Sequence, residues 1–380
     1  MKVKFLHVAD FHLDSKFLPL GESQKVRTRR KELAETFKKF IQFANLLKEQ
    51  EGLDFILIAG DLFEHDCYSP HTLKTLLFYG LENLKPLPVF IAAGNHDPLV
   101  SDSPYVTYDW PSNVHIFPDS FQRVEFRPDV HIYGISVTPQ NLGNNVLQEL
   151  KISNPEVINI VVFHGAEKSS EKELFGDCLP FSGEDMAAHP CDYFALGHYH
   201  NFRKVPLEGD NIRGYYSGSP EPLNFKELGE HYILKVEVDK NSGVKVEPIS
   251  FQRRIYKQVE VDCSGISSLE DVKVLIRECK DESAVVNLVL RGEIDPDIRI
   301  DLEELAEFIR EENIFFSVRI KNATHSEYTP EMVNSSPLAK SFLDVVEKNK
   351  DKYPPQLLSV VVKLGLDGIF VREVRNWDEI

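Results

Sequence analysis

The sequence predicts an α/β fold built on parallel strands, and three observations predict it. Short apolar runs alternate with amphipathic stretches over about the first 250 residues, the order that lays helices on a parallel sheet through right-handed crossovers. The run Val89–Ala93 is short, apolar and bounded by Pro88 and Gly94, as a buried strand is. It then breaks into Asn95, His96 and Asp97, at the carboxyl edge where open α/β sheets place their chemistry.

The elements follow in order. Lys2–Ala9 reads as a strand, about Ser23–Gln50 as a helix, Asp54–Ala59 as a strand, and about Pro70–Asn83 as a second helix. Gly94, after the third strand, permits a tight turn. Val130–Ser136, Val157–Phe163 and Tyr193–Leu196 add strands; Arg213–Ser217, His231–Val238 and Val244–Phe251 close the set, the last two through the turn "DKNSG". A second unit opens near Ile255. Strand "YKQVEVD" precedes a capping box of Ser267 and Glu270 on "LEDVKVLIREC"; strand "AVVNLVLR" precedes Asp301, which caps "LEELAEFIREE"; strand "IFFSVRIK" ends the unit. The division expected is a core over 1–254, a small α/β domain over 255–325, a polar linker over 326–336, and a tail of two amphipathic segments over 337–380.

Composition narrows the function. A net charge of −17, spread along the chain, argues against binding nucleic acid by bulk electrostatics, so an anionic substrate needs a local positive feature. Cys67, Cys178, Cys191, Cys263 and Cys279 are scattered and form no C-x-x-C, which points away from a zinc knuckle or disulfide framework and toward a reducing cytoplasm. No long apolar run suggests a membrane span, and "MKVKFLHVAD" reads as a first strand and not as a signal peptide.

Four further strand ends resemble the Asn95–Asp97 one. The runs end in Asp10 and His12, in Gly60 and Asp61, in His164 and Gly165, and in Gly197, His198 and His200. Two carboxylates, one amide oxygen and four imidazoles make a mixed oxygen and nitrogen donor set, suited to Mn²⁺, Fe²⁺ or Zn²⁺. Residues two apart on an extended segment share a face, so Asp10 with His12, and His198 with His200, are expected to converge. A carboxylate can bridge two cations, which suits Asp61, and two cations can hold both ends of an in-line phosphoryl displacement. Two divalent ions also make a pocket locally positive inside an acidic protein. No G-x-S-x-G supports serine catalysis.

The series D-x-H, G-D, G-N-H-D, H and G-H-x-H resembles the calcineurin-type metallophosphoesterases, over about residues 1–250. "LHVADFHLDS", "GDLF" and "AGNHD" resemble the SbcD/Mre-eleven family of double-strand-break repair nucleases. The resemblance implies a β-sandwich core with flanking helices, a small capping domain that binds DNA, and a C-terminal helix-loop-helix that binds an ABC-type ATPase of the Rad-fifty/SbcC kind. It implies two Mn²⁺ ions, one held by Asp10, His12, Asp61 and His200, the other by Asp61, Asn95, His164 and His198. His96 would stand beside the phosphate as transition-state stabiliser or proton donor, with Asp97 orienting its ring. The activities implied are double-strand exonuclease and single-strand endonuclease, in the cytoplasm with the nucleoid; the alternatives are another calcineurin-like phosphoesterase acting on nucleotides or phosphoproteins, which leaves the capping domain and tail without a reason, and a non-catalytic DNA-end tether, against which the complete ligand set argues. Glu64 stands where many relatives carry a DNA-positioning histidine, so a carboxylate is expected to repel phosphate there, and His65 replaces that histidine if the loop shifts by one residue.

Three partner surfaces are also expected. The basic stretch Lys25, Arg27, Arg29, Arg30 and Lys31 offers a phosphate grip, or else a solvated helix start paired to Glu32 and Glu35. Leu73, Leu76, Leu77 and Leu81 form a stripe for a homodimer or for packing on the sheet. In the tail, Leu338, Phe342, Val345 and Val346 share one helical face, and Leu357, Val361 and Leu364 repeat the pattern before Gly365 ends that helix. Such a tethered pair suits a partner's apolar groove, here the ATPase.

Overall fold

The computed structural model describes residues 1–17, 20, 23–168, 178–206 and 212–370, in two compact units, Met1–Arg254 and Ile255–Ile380. The first unit runs β1 (Lys2–Val8), α1 (Ser23–Glu51), β2 (Phe55–Ala59), a wide helical stretch (Thr72–Phe78) continuing into α2 (Tyr79–Glu82), and β3 (Val89–Ala92). Then come α3 (Pro104–Thr107), β4 (Val114–Ile116), β5 (Gln122–Arg127), β6 (Val130–Gly134), β7 (Ile158–His164), α4 (Gly183–Ala187) and β8 (Tyr193–Gly197). β9 (Arg203–Pro206), β10 (Ile212–Tyr216), β11 (Tyr232–Asp239) and β12 (Gly243–Ser250) complete it.

These strands make two six-stranded mixed sheets, ordered β12-β11-β1-β2-β3-β4 and β5-β6-β7-β8-β10-β9. β1 to β4 run parallel in one sheet, as do β6, β7, β8 and β10 in the other. Phe5, Phe55, Leu57, Phe90, Ile132 and Ile160 belong to one buried cluster between the sheets. α1 buries Leu33, Phe37, Phe40, Ala44 and Leu47, the 3–4 spacing of one helical face, with Phe37 and Phe40 against Phe11. The architecture is the expected α/β sandwich with flanking helices. β4, β5 and β9 were not foreseen: β4 is three residues long, and β5 and β9 carry charged, partly exposed side chains that hide a strand in a polar sequence.

The second unit contains β13 (Tyr256–Asp262), α5 (Leu269–Glu278), β14 (Asp281–Arg291), β15 (Glu293–Ile294), α6 (Leu302–Glu311), β16 (Phe315–Asn322) and β17 (His325–Ser326). β13, β14 and β16 pair in parallel. Asp301 caps α6, accepting from the Glu303 and Glu304 amides. α5 starts one residue later than the motif suggested: the reciprocal cap joins Ser268 to Asp271, not Ser267 to Glu270. The stretch read as a linker carries a helix, α7 (Pro330–Ser335), because Thr329 accepts from the Met332 amide and Pro330 opens the first turn. α8 (Pro337–Lys348) and α9 (Pro355–Phe370) form the tail, whose last ten residues lie outside the described ones. Gly365 does not end α9. It lies inside the helix where any β-carbon would run into the ring of Phe342, so its role is close helix packing.

Two expectations about partner surfaces are corrected. Leu73, Leu76, Leu77 and Leu81 are all buried within the single chain, so the stripe is core and not a dimer face. Arg29 is wholly buried: its guanidinium meets Glu32 at 2.9 Å and Glu221 at 3.0 Å and donates to the Pro222 carbonyl. It cannot grip DNA. Lys25 is half-buried and Arg27 and Arg30 are exposed, with Arg30 donating to the Ser15 carbonyl. Truncating one partner of a buried ion pair strands the other charge, at about 3–5 kcal/mol. Arg29→Ala should therefore lower the free energy of urea unfolding by about that much, while Arg27→Ala should stay within about 0.5 kcal/mol of the parent.

Candidate metal centre

The parallel strands β1, β2, β3, β7 and β8 deliver their carboxyl ends to one edge of the sandwich. Backbone bonds lace that edge: Asp10 N donates to Gly60 O at 3.0 Å, and His12 N to Asp61 O at 2.9 Å. Asp10, His12, Asp61 and His198 have φ of 54°, 45°, 52° and 113°, the left-handed region. Convergence of Asp10 with His12 thus comes from a strained turn and not from extended alternation. Non-glycine residues persist there only where surrounding structure over-determines them, commonly at functional sites. Gly94 has no such φ; it is needed because a β-carbon would collide with the Asp61 carboxylate.

Asp61 lies centrally. Its Oδ2 is 3.4 Å from His12 Nε2 and 3.3 Å from His164 Nε2, while its Oδ1 accepts from the His96 amide at 2.8 Å. Asp10 Oδ1 is 3.8 Å from His200 Nε2 and 4.0 Å from His12 Nε2. Asn95 Oδ1 faces His164 Nε2 at 3.0 Å and His198 Nδ1 at 3.3 Å. Hence all seven proposed ligands meet at one place.

The second ring nitrogens show what the first are for. His12 Nδ1 is bonded to Glu64, His164 Nδ1 to the Ala59 carbonyl and His200 Nδ1 to Glu227, each at 2.8–2.9 Å. Each bond places a proton on Nδ1, so that the neutral ring presents Nε2 as a lone pair to the centre. Yet His12 Nε2 and His200 Nε2 stand 3.2 Å apart. Two lone pairs at that distance need a cation or a shared proton between them. The donor set therefore fits divalent metal.

Charge follows the same geometry. Burial alone would raise the Asp61 pKa, but His164 and His12 hold it well below the usual carboxylate range. Burial raises Asp10. Burial pulls His164 and His200 down, but Asp61 and Glu227 respectively outweigh it and lift both to about 9. Burial and the neighbouring His164 push His198 down to about 3.

Asp97 does not orient His96. Its buried carboxylate accepts from the amides of Asp61, Leu62 and Gly94 and from the Tyr105 hydroxyl, at 2.6–3.0 Å. It fastens two site loops together; burial and the Asp61 charge push its pKa up to about 7. The residue on His96 is Glu64. One oxygen meets His12 Nδ1 at 2.8 Å and the other His96 Nδ1 at 3.0 Å. Burial would raise the Glu64 pKa, but both bonds bring it down to about 2, and Glu64 in turn raises His96. So Glu64 is not a bare charge repelling phosphate. The His65 ring stays out of the cluster, 3.8 Å from Asp102. Glu64 and Glu227 carry no motif of their own around them; Glu64 was visible only as the third residue after Asp61. Cys178 lies near His164 and His198, and burial keeps its thiol protonated.

A family model described as "Calcineurin-like phosphoesterase" matches residues 3–217, which includes every one of these ligands. The chain belongs to the calcineurin-like phosphoesterases. A two-metal site of His and Asp ligands is typical of that family, and this phosphoesterase carries such a cluster. It is 30% identical over 308 residues to "Uncharacterized metallophosphoesterase YhaO" of Bacillus subtilis, covering 76% of this chain and 71% of the relative. It is 28% identical over 303 residues to "DNA double-strand break repair protein Mre11" of Methanopyrus kandleri, covering 72% and 57%. A protein of the same description from Archaeoglobus fulgidus is 23% identical over 409 residues, covering 99% and 88%. No described helix of this phosphoesterase is long and apolar enough to cross a membrane.

Metal must displace the protons that His164 and His200 hold below about pH 9. Adding Mn²⁺ to weakly buffered protein at about pH 7.5 should therefore release protons, and affinity should climb with pH before levelling off above about 9. Isothermal titration calorimetry in two buffers of different ionisation enthalpy measures the release; a pH-independent affinity with no release would contradict it.

Proposed function

We propose that this phosphoesterase is a Mn²⁺-dependent DNA nuclease of double-strand-break repair, trimming duplex ends and nicking single strands beside an ABC-type ATPase. The observation that carries the reading is the convergence of Asp10, His12, Asp61, Asn95, His164, His198 and His200, with His96 on their exposed side. The two Mre11 likenesses support the choice of DNA.

When bound, divalent ions would neutralise phosphate oxygens and acidify water. Asp10, His12, Asp61 and His200 would hold one, and Asp61, Asn95, His164 and His198 the other. Glu64 keeps the Nδ1 edge of His96 engaged and favours its charged form, leaving Nε2 to give a proton to the departing oxygen. The backbone of His96 is tied to Asp61, so donor and ligand keep a set separation. His96→Gln should cut hydrolysis of labelled DNA by about a hundredfold or more, in line with loss of a general acid, while metal content per chain stays at the parent level. Parent-level cleavage by the variant, or hydrolysis of phosphoproteins in place of DNA by the parent, would overturn the reading.

The ATPase is proposed to dock on the tail. Leu338, Val345, Leu357 and Val361 are exposed, Phe342, Val346 and Leu364 half-buried, so the two helices leave much of their apolar surface uncovered. A homodimer is proposed as well, on a face other than the buried leucine stripe. Truncation after Ser335 should abolish co-elution with the ATPase and leave metal-dependent cleavage of simple diesters intact; unchanged co-elution would remove the tail from the interface.

A further inference from the structure

A cavity of about 630 Å³ opens beside the metal centre, walled on one side by Asp61, His96 and His198. Its volume falls within the roughly 300–1,000 Å³ of small-molecule sites. Its other wall has a different chemistry. Phe202 is half-buried, packed on the inter-sheet core and edge-on to Tyr232 at 5.9 Å between centroids, so one ring is held in place at the cavity. Asn201 adds an exposed amide. Arg203 also lines it, but its charge is already met by Glu167 at 2.5 Å, and it lies over the Tyr199 ring at 5.1 Å. The wall offers an aromatic ring, the amides of Asn201 and Asn224, the neutralised Arg203 and the exposed Lys226. The ring and the amides suit a nucleobase, and Lys226 suits a flanking phosphate of the same strand.

Resting on the phosphodiesterase reading above, we propose that this cavity seats one unpaired nucleotide of the substrate, its phosphate at the metal centre and its base against Phe202. A pre-set ring costs little ordering on binding. A base lying on it must leave its duplex stack, so the site acts on single strands and frayed ends in preference to closed duplex. Asn201 meets the base edge at the mouth.

Two esters with the same leaving group test this on the full chain with Mn²⁺: thymidine 5′-(p-nitrophenyl phosphate) and methyl p-nitrophenyl phosphate. They differ only in the retained alcohol. The parent should favour the nucleotide ester in kcat/KM. Phe202→Leu keeps apolar packing but removes the aromatic face, and should reduce that preference about tenfold, chiefly through KM, the size of loss of one base–aromatic stack. Phe202→Tyr should restore it, which a loss of packing alone would not explain, and circular dichroism checks both folds. Hydrolysis of the methyl ester with no preference in the parent, or a preference that Phe202→Leu leaves unchanged, overturns the subsite while the phosphodiesterase reading stands. Hydrolysis of neither ester overturns that reading itself. Competition by a phosphoserine peptide stronger than by thymidine 5′-monophosphate assigns the cavity to peptide and overturns the proposal.

Discussion

His12 and His200 point Nε2 at Nε2 across 3.2 Å, and the arrangement of the whole sheet edge follows from that constraint. Each ring has its other nitrogen committed to a carboxylate, so neither can turn away without losing a charge-assisted bond. Asp10 and Asp61 stand beneath them, fully or almost fully buried. Such a gathering of lone pairs and negative charge is costly on its own. Protons on His164 and His200 offset it in the metal-free protein, and cations would offset it better.

The scaffold bears this cost through a second, quieter device. Asp97 accepts three amides and a hydroxyl in the interior, joining the loop after β2 to the loop after β3. With it in place, four ligand-region residues hold left-handed backbone angles that side chains ordinarily avoid. Asp97 thus belongs to the support of the site, and Glu64 belongs to its chemistry, the reverse of what adjacency to His96 suggested. Glu64 couples a proposed metal ligand to the proposed proton donor through one carboxylate, so the two rings cannot be tuned independently.

The basic stretch teaches a similar lesson about charge. Arg27 and Arg30 reach solvent, but Arg29 turns inward, because on a helix one residue in this run falls on the buried face. There it finds Glu32 and Glu221, one near in sequence and one remote. Composition counts all three as cations; only packing separates a surface charge from an internal strut. The leucine stripe of the wide helical stretch is the same case for apolar residues: spacing identifies a face, not what covers it.

By itself the sequence determined the α/β class, most strands, and the ligand types at five strand ends. These are legible because buried parallel strands are apolar runs, and because metal chemistry needs particular donors immediately after them. It also determined the helical faces of the tail, which depend only on the 3.6-residue period. The tertiary structure alone decided which carboxylate serves which histidine or arginine. Glu64 to His96, Glu227 to His200 and Glu221 to Arg29 are contacts between residues 32, 27 and 192 apart in sequence. Acidic residues are abundant in a chain of this charge, and no local pattern distinguishes the ones that folding brings within 3 Å of an imidazole or a guanidinium. The left-handed turns at Asp10 and His12 and the close approach at Gly365 were equally hidden. Local preference favours other conformations there, and only packing against the rest of the chain selects these.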